Sequence, residues 1–300
     1  MRAFDLSTLP RLGVGISGEF DSARTGLDAV DLKEQLPHAI DFMEFGADLD
    51  RGLDEHVRRW AARGWPTTYH FLDVNLEEPE DIDDDWVRRT VAAASEIGAS
   101  WLCGDGGLWH FGPRDRGHMT LMPPVLDVAS AEAMARGVAR VQAATGLACL
   151  PENPPATVFL GPLHILDYFA RVADGAGCGV LVDCAHLAIF QRARGHAALD
   201  GLDGFPMDRV VELHVAGGGE RVEGDGFRWI EDDHSPEPLP ETWAIFEYIA
   251  ARAKNLKAVV YECERNAAHE VVDGFARIRE VWDGAGAAGA RGVGAAGGRP

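Results

Sequence analysis

The feature that most constrains this chain is an alternation repeated eight times. Short β-branched or apolar runs recur at RLGVGIS (11–17), DFMEFGAD (41–48), PTTYHFL (66–72), SWLCGDG (100–106), LACLPEN (147–153), GVLVDCAH (179–186), VVELHVAG (210–217) and LKAVVYECE (256–264). Between them lie longer stretches with helical periodicity, as in DDWVRRTVAAASEIG (84–98), SAEAMARGVARVQAATG (130–146) and PETWAIFEYIAARAKN (240–255). Each of these opens near Ser, Asp or Pro and closes near Gly or Asn, the usual helix start and stop signals. Eight strand-then-helix units predict an α/β fold, a single (β/α)8 TIM barrel over residues 1–283, and the 300 residues suit one such unit. The tail GAGAAGARGVGAAGGRP (284–300) has too little apolar bulk to offset the entropy of ordering and is expected to be disordered.

Two Gly/Pro-rich insertions break the rhythm, at 107–129 after the fourth strand and at 217–239 after the seventh. Both would leave the barrel at the C-terminal ends of its strands, the face where barrel active sites lie, and both are expected to be substrate loops.

Charge and cysteine usage narrow the setting. A formal net charge of -20 repels phosphate backbones at long range, so nucleic acid is a disfavoured partner. Five cysteines, with no C-x-x-C spacing, fit neither a disulfide framework nor a zinc ribbon, and a reducing cytoplasm is the simplest setting. The first residues lack the apolar stretch of a signal peptide, and no segment has the length of a membrane span.

The chemistry is suggested by where ionisable residues fall. In VDCAHL (182–187), Asp183 and His186 sit three residues apart where an apolar run gives way to a helix-like segment. Alone, such a pair is ordinary helix capping. The other strand ends, however, carry Glu44 and Asp48, His70, Asp105 and then His110, Glu152 with Asn153, His214, and Glu262 with Glu264, while the seventh loop carries Asp232, Asp233 and His234. Carboxylates and imidazoles gathered on one barrel mouth repel or desolvate one another unless cations sit between them, which points to several bound divalent metals. Oxygen and nitrogen donors suit iron, manganese or zinc. Cys103, Cys184 and Cys263, also at strand ends, read as small buried apolar residues.

The pieces DFMEFGAD, TYHFL, RVQAATGLACLPENPP, GCGVLVDCAHL, VVELHVAGG, EDDHSPEP and VVYECE resemble, in order, the multinuclear non-haem iron-dependent oxidative enzymes related to methanobactin biosynthesis, within the xylose-isomerase-like superfamily. The resemblance implies iron ligation by His70, Glu152, Asp183, His214, Asp232, His234 and Glu262, two or three Fe2+/Fe3+ ions, and O2 as co-substrate. Two positions depart from the family pattern. A Ser-x-His-Leu motif is replaced by CGDGGLWHF, which makes His110 the expected substitute ligand, and His186 stands where the family often has Asn. With His110 and His186 added, the nine residues also resemble the trinuclear zinc ligand set of endonuclease IV. Glu152, Asp183 and Asp232 are the expected catalytic carboxylates, with Asn153, Asp105 and Glu44 behind the ligands, orienting them.

The leading expectation is therefore an iron-dependent, O2-using oxidoreductase acting on a cysteine or another residue of a ribosomally made peptide, or on a small molecule. A separate peptide-recognition protein is a possible partner, as in many relatives. The alternatives are an endonuclease IV-like phosphodiesterase, which the net charge disfavours, and a sugar isomerase or epimerase needing only Glu152, Asp183, His214 and Glu262. A non-enzymatic binding module leaves so dense an ionisable rim unexplained.

Overall fold

The structure, a computed structural model, describes residues 4–112 and 119–293. Eight parallel strands close into a barrel: β1 (Gly13–Glu19), β2 (Phe42–Ala47), β3 (Thr67–Phe71), β4 (Ala99–Asp105), β5 (Cys149–Glu152), β6 (Val180–Asp183), β7 (Val210–Ala216) and, after a hairpin, β10 (Ala258–Glu262). Neighbours in space are neighbours in sequence, and β10 closes the ring against β1. The expected (β/α)8 barrel is therefore the fold, with each of the eight apolar runs supplying one strand.

Helices α1 (Ser22–Thr25), α2 (Ala29–Gln35), α3 (Glu55–Ala61), α4 (Asp84–Ile97), α5 (Val128–Thr145), α6 (Ile165–Ala176), α7 (Cys184–Arg194), α8 (Pro240–Ala250) and α9 (Ala268–Val293) surround the strands. Their ends follow local chemistry. Asp83 accepts a hydrogen bond from the Trp86 amide to cap α4, and Gly98, at φ +66°, ends it in the left-handed conformation that glycine tolerates. Helix α9 runs on through residues 284–293, the first part of the stretch expected to be disordered. Alanine favours helix, and extending an existing helix needs no new nucleus. The rest of that stretch, 294–300, lies outside the described residues.

The second insertion is not simply a loop. Within 217–239 the chain forms an antiparallel hairpin, β8 (Gly218–Val222) with β9 (Arg228–Asp232), registered from Gly218↔Asp232 to Val222↔Arg228. Glycines at the start of β8 mask the strand signal, and its partner lies inside the same insertion.

Register decides what the barrel interior holds. Phe42, Trp101, Leu150, Leu181 and Ala258 pack as an apolar layer at one end, closed off by Leu6, Leu9 and Leu12. Side chains alternate across a strand, so the residues two or four further on point inward as well. These are Glu44, Asp105, Glu152, Asp183 and Glu262, and cross-strand pairing aligns His70 with Cys103 and His214 with Asp183. The same pleat thus supplies the hydrophobic plug at the bottom and the ionisable ring at the top.

Candidate metal centre

Glu152, at the end of β5, is the hub. Its Oε2 lies 2.8 Å from Nε2 of His70, and its Oε1 lies 3.4 Å from both His186 Nδ1 and His214 Nδ1. Among the described residues five groups of donor atoms lie within 4.8 Å of mutual distance; Glu19–His234–Glu264 and Glu44–Cys103–Glu212 stand apart, and three are linked, His70–Asp105–Glu152, Glu152–Asp183–His186 and Asp183–His214–Glu262. Glu152 and Asp183 each belong to two triads, so each carboxylate joins neighbouring donor groups.

Asp183 answers the capping question both ways. It ends β6, and its Oδ1 accepts from the His186 amide as the N-cap of α7. Its Oδ2, fully buried, has no hydrogen-bond partner. His186 therefore lies in the first turn of α7 and not at the end of a strand running to 186, as the sequence predicts; the cap itself stops the strand. The imidazole spans from the Asn153 carbonyl (2.8 Å from Nδ1) to Asp232 Oδ2 (3.1 Å from Nε2). Asn153 also exchanges two hydrogen bonds of 3.0 Å with the Asp183 backbone, tying β5 to β6 directly behind the ligands.

The hairpin completes the ring. β9 ends at Asp232, and His234, two residues on, takes a left-handed φ of +51°. Its Nδ1 is bound by Glu264 Oε1 at 2.8 Å and its carbonyl by Asn266 Nδ2 at 2.6 Å. Nε2 is left facing the cavity, 3.5 Å from Asp232 and 3.7 Å from Glu262. Below, Glu44 Oε1 meets His214 Nε2 at 2.9 Å, while its Oε2 accepts from Thr68 Oγ1 and Cys103 Sγ, both at 2.8 Å. Nδ1 of His214 faces Glu152 at 3.4 Å and Glu262 at 3.3 Å.

Electrostatics shows strain that cations would relieve. Burial, reinforced by Glu152, pushes the Asp105 carboxyl up to about 7, and burial with Glu262 and Glu152 raises Asp183 well above the usual carboxylate range. Burial would lower His70, yet its hydrogen bond to Glu152 and the charges of Glu44, Glu152 and Asp105 raise it to about 9. Asp105 Oδ1, Glu152 Oε1, Asp183 Oδ2, His214 Nδ1, Asp232 Oδ1 and Glu262 Oε2 are buried without a hydrogen-bond partner. Such orphaned acceptors are costly in a protein interior, and together they fit a group of divalent cations. The donors are oxygen and nitrogen; all five thiols are buried, and that of Cys103 is turned to Glu44.

Eight of the nine expected ligands converge: His70, Glu152, Asp183, His186, His214, Asp232, His234 and Glu262. His110 is not brought to them. Its Nε2 is held 3.0 Å from Asp81 Oδ2, its Nδ1 3.1 Å from the Gly112 carbonyl, and its own carbonyl by Asn75 Nδ2. Asp105, expected behind the ligands, stands among them beside His70 and Glu152, whereas Glu44 and Asn153 do stand behind. Asp48 instead caps its own turn, accepting from the Asp50 and Arg51 amides. The orienting role of Glu264 was hidden, since a carboxylate at a strand end does not reveal which imidazole it turns. Above the ring lies a cavity of about 250 Å³ whose less polar wall includes Leu72, Trp109, Leu121 and Pro155.

Comparison with known proteins bears on this ring. The profile of the RiPP precursor modification enzyme MbnB/TglH/ChrH family matches residues 25–283, which carry the barrel from its first helices through every ligand candidate. The chain belongs to this family. It is thus an enzyme of the class that modifies RiPP precursors, and its class of substrate is a peptide. Among curated relatives, a UPF0276 protein of Rhizorhabdus wittichii is 26% identical over 229 residues, covering 74% of this chain and 78% of that protein. A UPF0276 protein of Caulobacter vibrioides is 28% identical over 245 residues, covering 81% and 84%. Among solved structures, a D-psicose 3-epimerase superposes with TM-score 0.54 over 90% of this chain and 99% of its own, at 13% identity. An L-ribulose 3-epimerase gives 0.52 over 96% and 99%, also at 13%. These two likenesses concern the barrel fold alone.

Proposed function

We propose that this enzyme is a multinuclear non-haem iron oxidase that uses O2 to modify a cysteine or another residue of a ribosomally made precursor peptide. The observation that carries the reading is the set of three linked triads, with Glu152 and Asp183 shared and their outer oxygens left without hydrogen bonds. Three triads joined by two carboxylates match two or three ions. His70, Glu152, Asp183, His186, His214, Asp232, His234 and Glu262 would hold them, and Glu152, Asp183 and Asp232 would keep the ions close enough to act together. Iron held there would supply electrons for dioxygen and a Lewis acid for a substrate thiolate or carboxylate.

The chain's own residues provide position and exclusion of water. Glu264 holds Nδ1 of His234 and Glu44 stands beside Nε2 of His214, so the donor geometry would be set before substrate arrives. Trp109, Leu121 and Pro155 wall the cavity and would screen a reactive site from solvent. Asp232 and His234 stand on the hairpin insertion, which couples this part of the ring to the loop a peptide would meet.

Metal analysis of protein purified without oxygen tests the reading. Two or three irons per chain are expected, and Glu152→Gln should lower metal content and turnover together with little change in melting temperature, because barrel stability resides in the strand layers and the opposite face. Zinc alone, with no iron-dependent activity after anaerobic reconstitution, would replace the oxidase reading with a hydrolytic one.

A further inference from the structure

Charged side chains line the cavity unevenly. Six carboxylates line it, Glu19, Glu44, Asp105, Glu152, Asp232 and Glu262, and among its described lining residues the sole Lys or Arg is Arg265. Arg265 directly follows Glu264, just beyond β10, with its side chain 55% exposed. Its Nη2 lies 3.3 and 3.4 Å from the two oxygens of Glu19, and its Nε 3.4 Å from Glu264 Oε1, an oxygen already bound at 2.8 Å by His234. All three distances are at the long limit of hydrogen bonding. The same chain shows a committed arginine elsewhere: Arg192 grips Glu241 with two bonds of 3.0 and 2.8 Å. Arg265 has no such grip.

A second hollow, of about 260 Å³, opens beside the first and shares Glu19, Gly46, Leu72, Met119 and Arg265 with it. It adds Phe20, Asp48 and Arg51, and Arg51 is again held loosely, its Nε 3.3 Å from Asp48 Oδ2 with the side chain 57% exposed. Two arginines there balance Glu19 and Asp48, while in the cavity proper the imidazoles of His70 and His234 are already paired with Glu152 and Glu264. Among the described residues lining the two hollows, Arg265 and Arg51 are the cations an anionic group can meet without displacing one of the metal-ligand candidates. The planar guanidinium fork is also suited to a carboxylate, which it can bind through two parallel hydrogen bonds.

We propose that Arg265, with Arg51 beyond it, anchors a carboxylate of the substrate in this side hollow and so presents the adjoining residue to the metal centre. The incoming carboxylate takes the place of Glu19 on Nη2, and Phe20, Leu72 and Met119 cover the carbon skeleton that bears it. This rests on the reading of the cavity as the reaction site and adds the requirement that the substrate be acidic next to the residue modified. The carboxylate can be a chain terminus or an Asp or Glu side chain, and the two sources are separable.

Calorimetric titration of the full-length, metal-containing protein, kept anaerobic, with matched acid and amide probes tests this. N-acetylcysteine against its amide probes a terminal carboxylate; N-acetylcysteinyl-aspartate amide against the asparagine counterpart probes a side chain. At least one acid should bind on the order of tenfold more tightly than its neutral partner, and Arg265→Gln should bring that ratio close to one by weakening the acid alone. Repeating the first pair with N-acetylalanine removes the thiol: loss of thiol preference with the acid preference intact would count against thiolate binding at the metals and leave the anchor standing. Equal affinity of acid and amide in both pairs for the unsubstituted protein, a comparison that needs no variant to fold, would overturn the proposal. Equal weakening of acid and amide by Arg265→Gln would overturn it too.

Discussion

The insertions after β4 and after β7 leave the barrel on the same face, and each holds a histidine that sequence reasoning places among the ligands. In the first, both ring nitrogens of His110 are engaged, by Asp81 and by the Gly112 carbonyl, and Asn75 fastens the loop to the β3–α4 connection through the His110 carbonyl and the Trp109 amide. In the second, the chain pairs with itself as β8–β9 and returns Asp232 to the ring, and Glu264 occupies only one nitrogen of His234. What separates these two histidines is a ring nitrogen turned to the cavity: Nε2 of His234 is so placed, while both nitrogens of His110 are turned to its own loop and to Asp81. Position near a rim is not sufficient.

The largest expected effect lies on the second insertion. His234→Ala should cost metal and lower turnover by more than the roughly 100-fold that is typical for loss of an orienting residue, read as metal per chain beside rate. Full metal content in that variant would erase the contrast between the loops. Next, Glu264→Gln should weaken metal binding by about 10- to 100-fold, measured by competition with a chelator, since the Nδ1 partner loses its charge while the ligand itself remains. Unchanged affinity would mean that the left-handed backbone alone orients the ring.

His110→Ala should leave metal content whole and lower unfolding free energy by about 1–3 kcal/mol in a urea titration, through lost buried hydrogen bonds. Loss of one ion instead would make the two insertions equivalent. Smallest of all, Phe227→Ser at the exposed end of the hairpin should shift stability by no more than about 0.5 kcal/mol and leave the metals in place. A marked loss of metal there would show that hairpin pairing, and with it the position of Asp232, depends on its tip.

Much of this site is legible because two periodicities coincide. Strand residues alternate in and out, and parallel barrel strands all end on one face, so Glu152, Asp183, His214 and Glu262 can be placed on a common inner rim from spacing alone. The hairpin was less legible because its pairing partner lies within the insertion and its first strand begins Gly218–Gly219. The extension of α9 past residue 283 was hidden by glycines in an alanine-rich segment, a composition that reads as loop in isolation but can continue a helix already formed.

By itself, then, the order of residues determined the barrel, the face that carries chemistry and the oxygen–nitrogen character of the donors. Each follows from local periodicity or from side-chain type, which need no knowledge of distant contacts. Only the tertiary structure decided which donors remain free. Asp81 reaches His110 across 29 residues and Glu264 reaches His234 across 30, and Asp105 joins His70 because β3, β4 and β5 align their ends. A hydrogen bond between residues so far apart depends on the closed sheet that brings them together, and that bond settles whether an imidazole near the rim packs the loop or turns a nitrogen to the cavity.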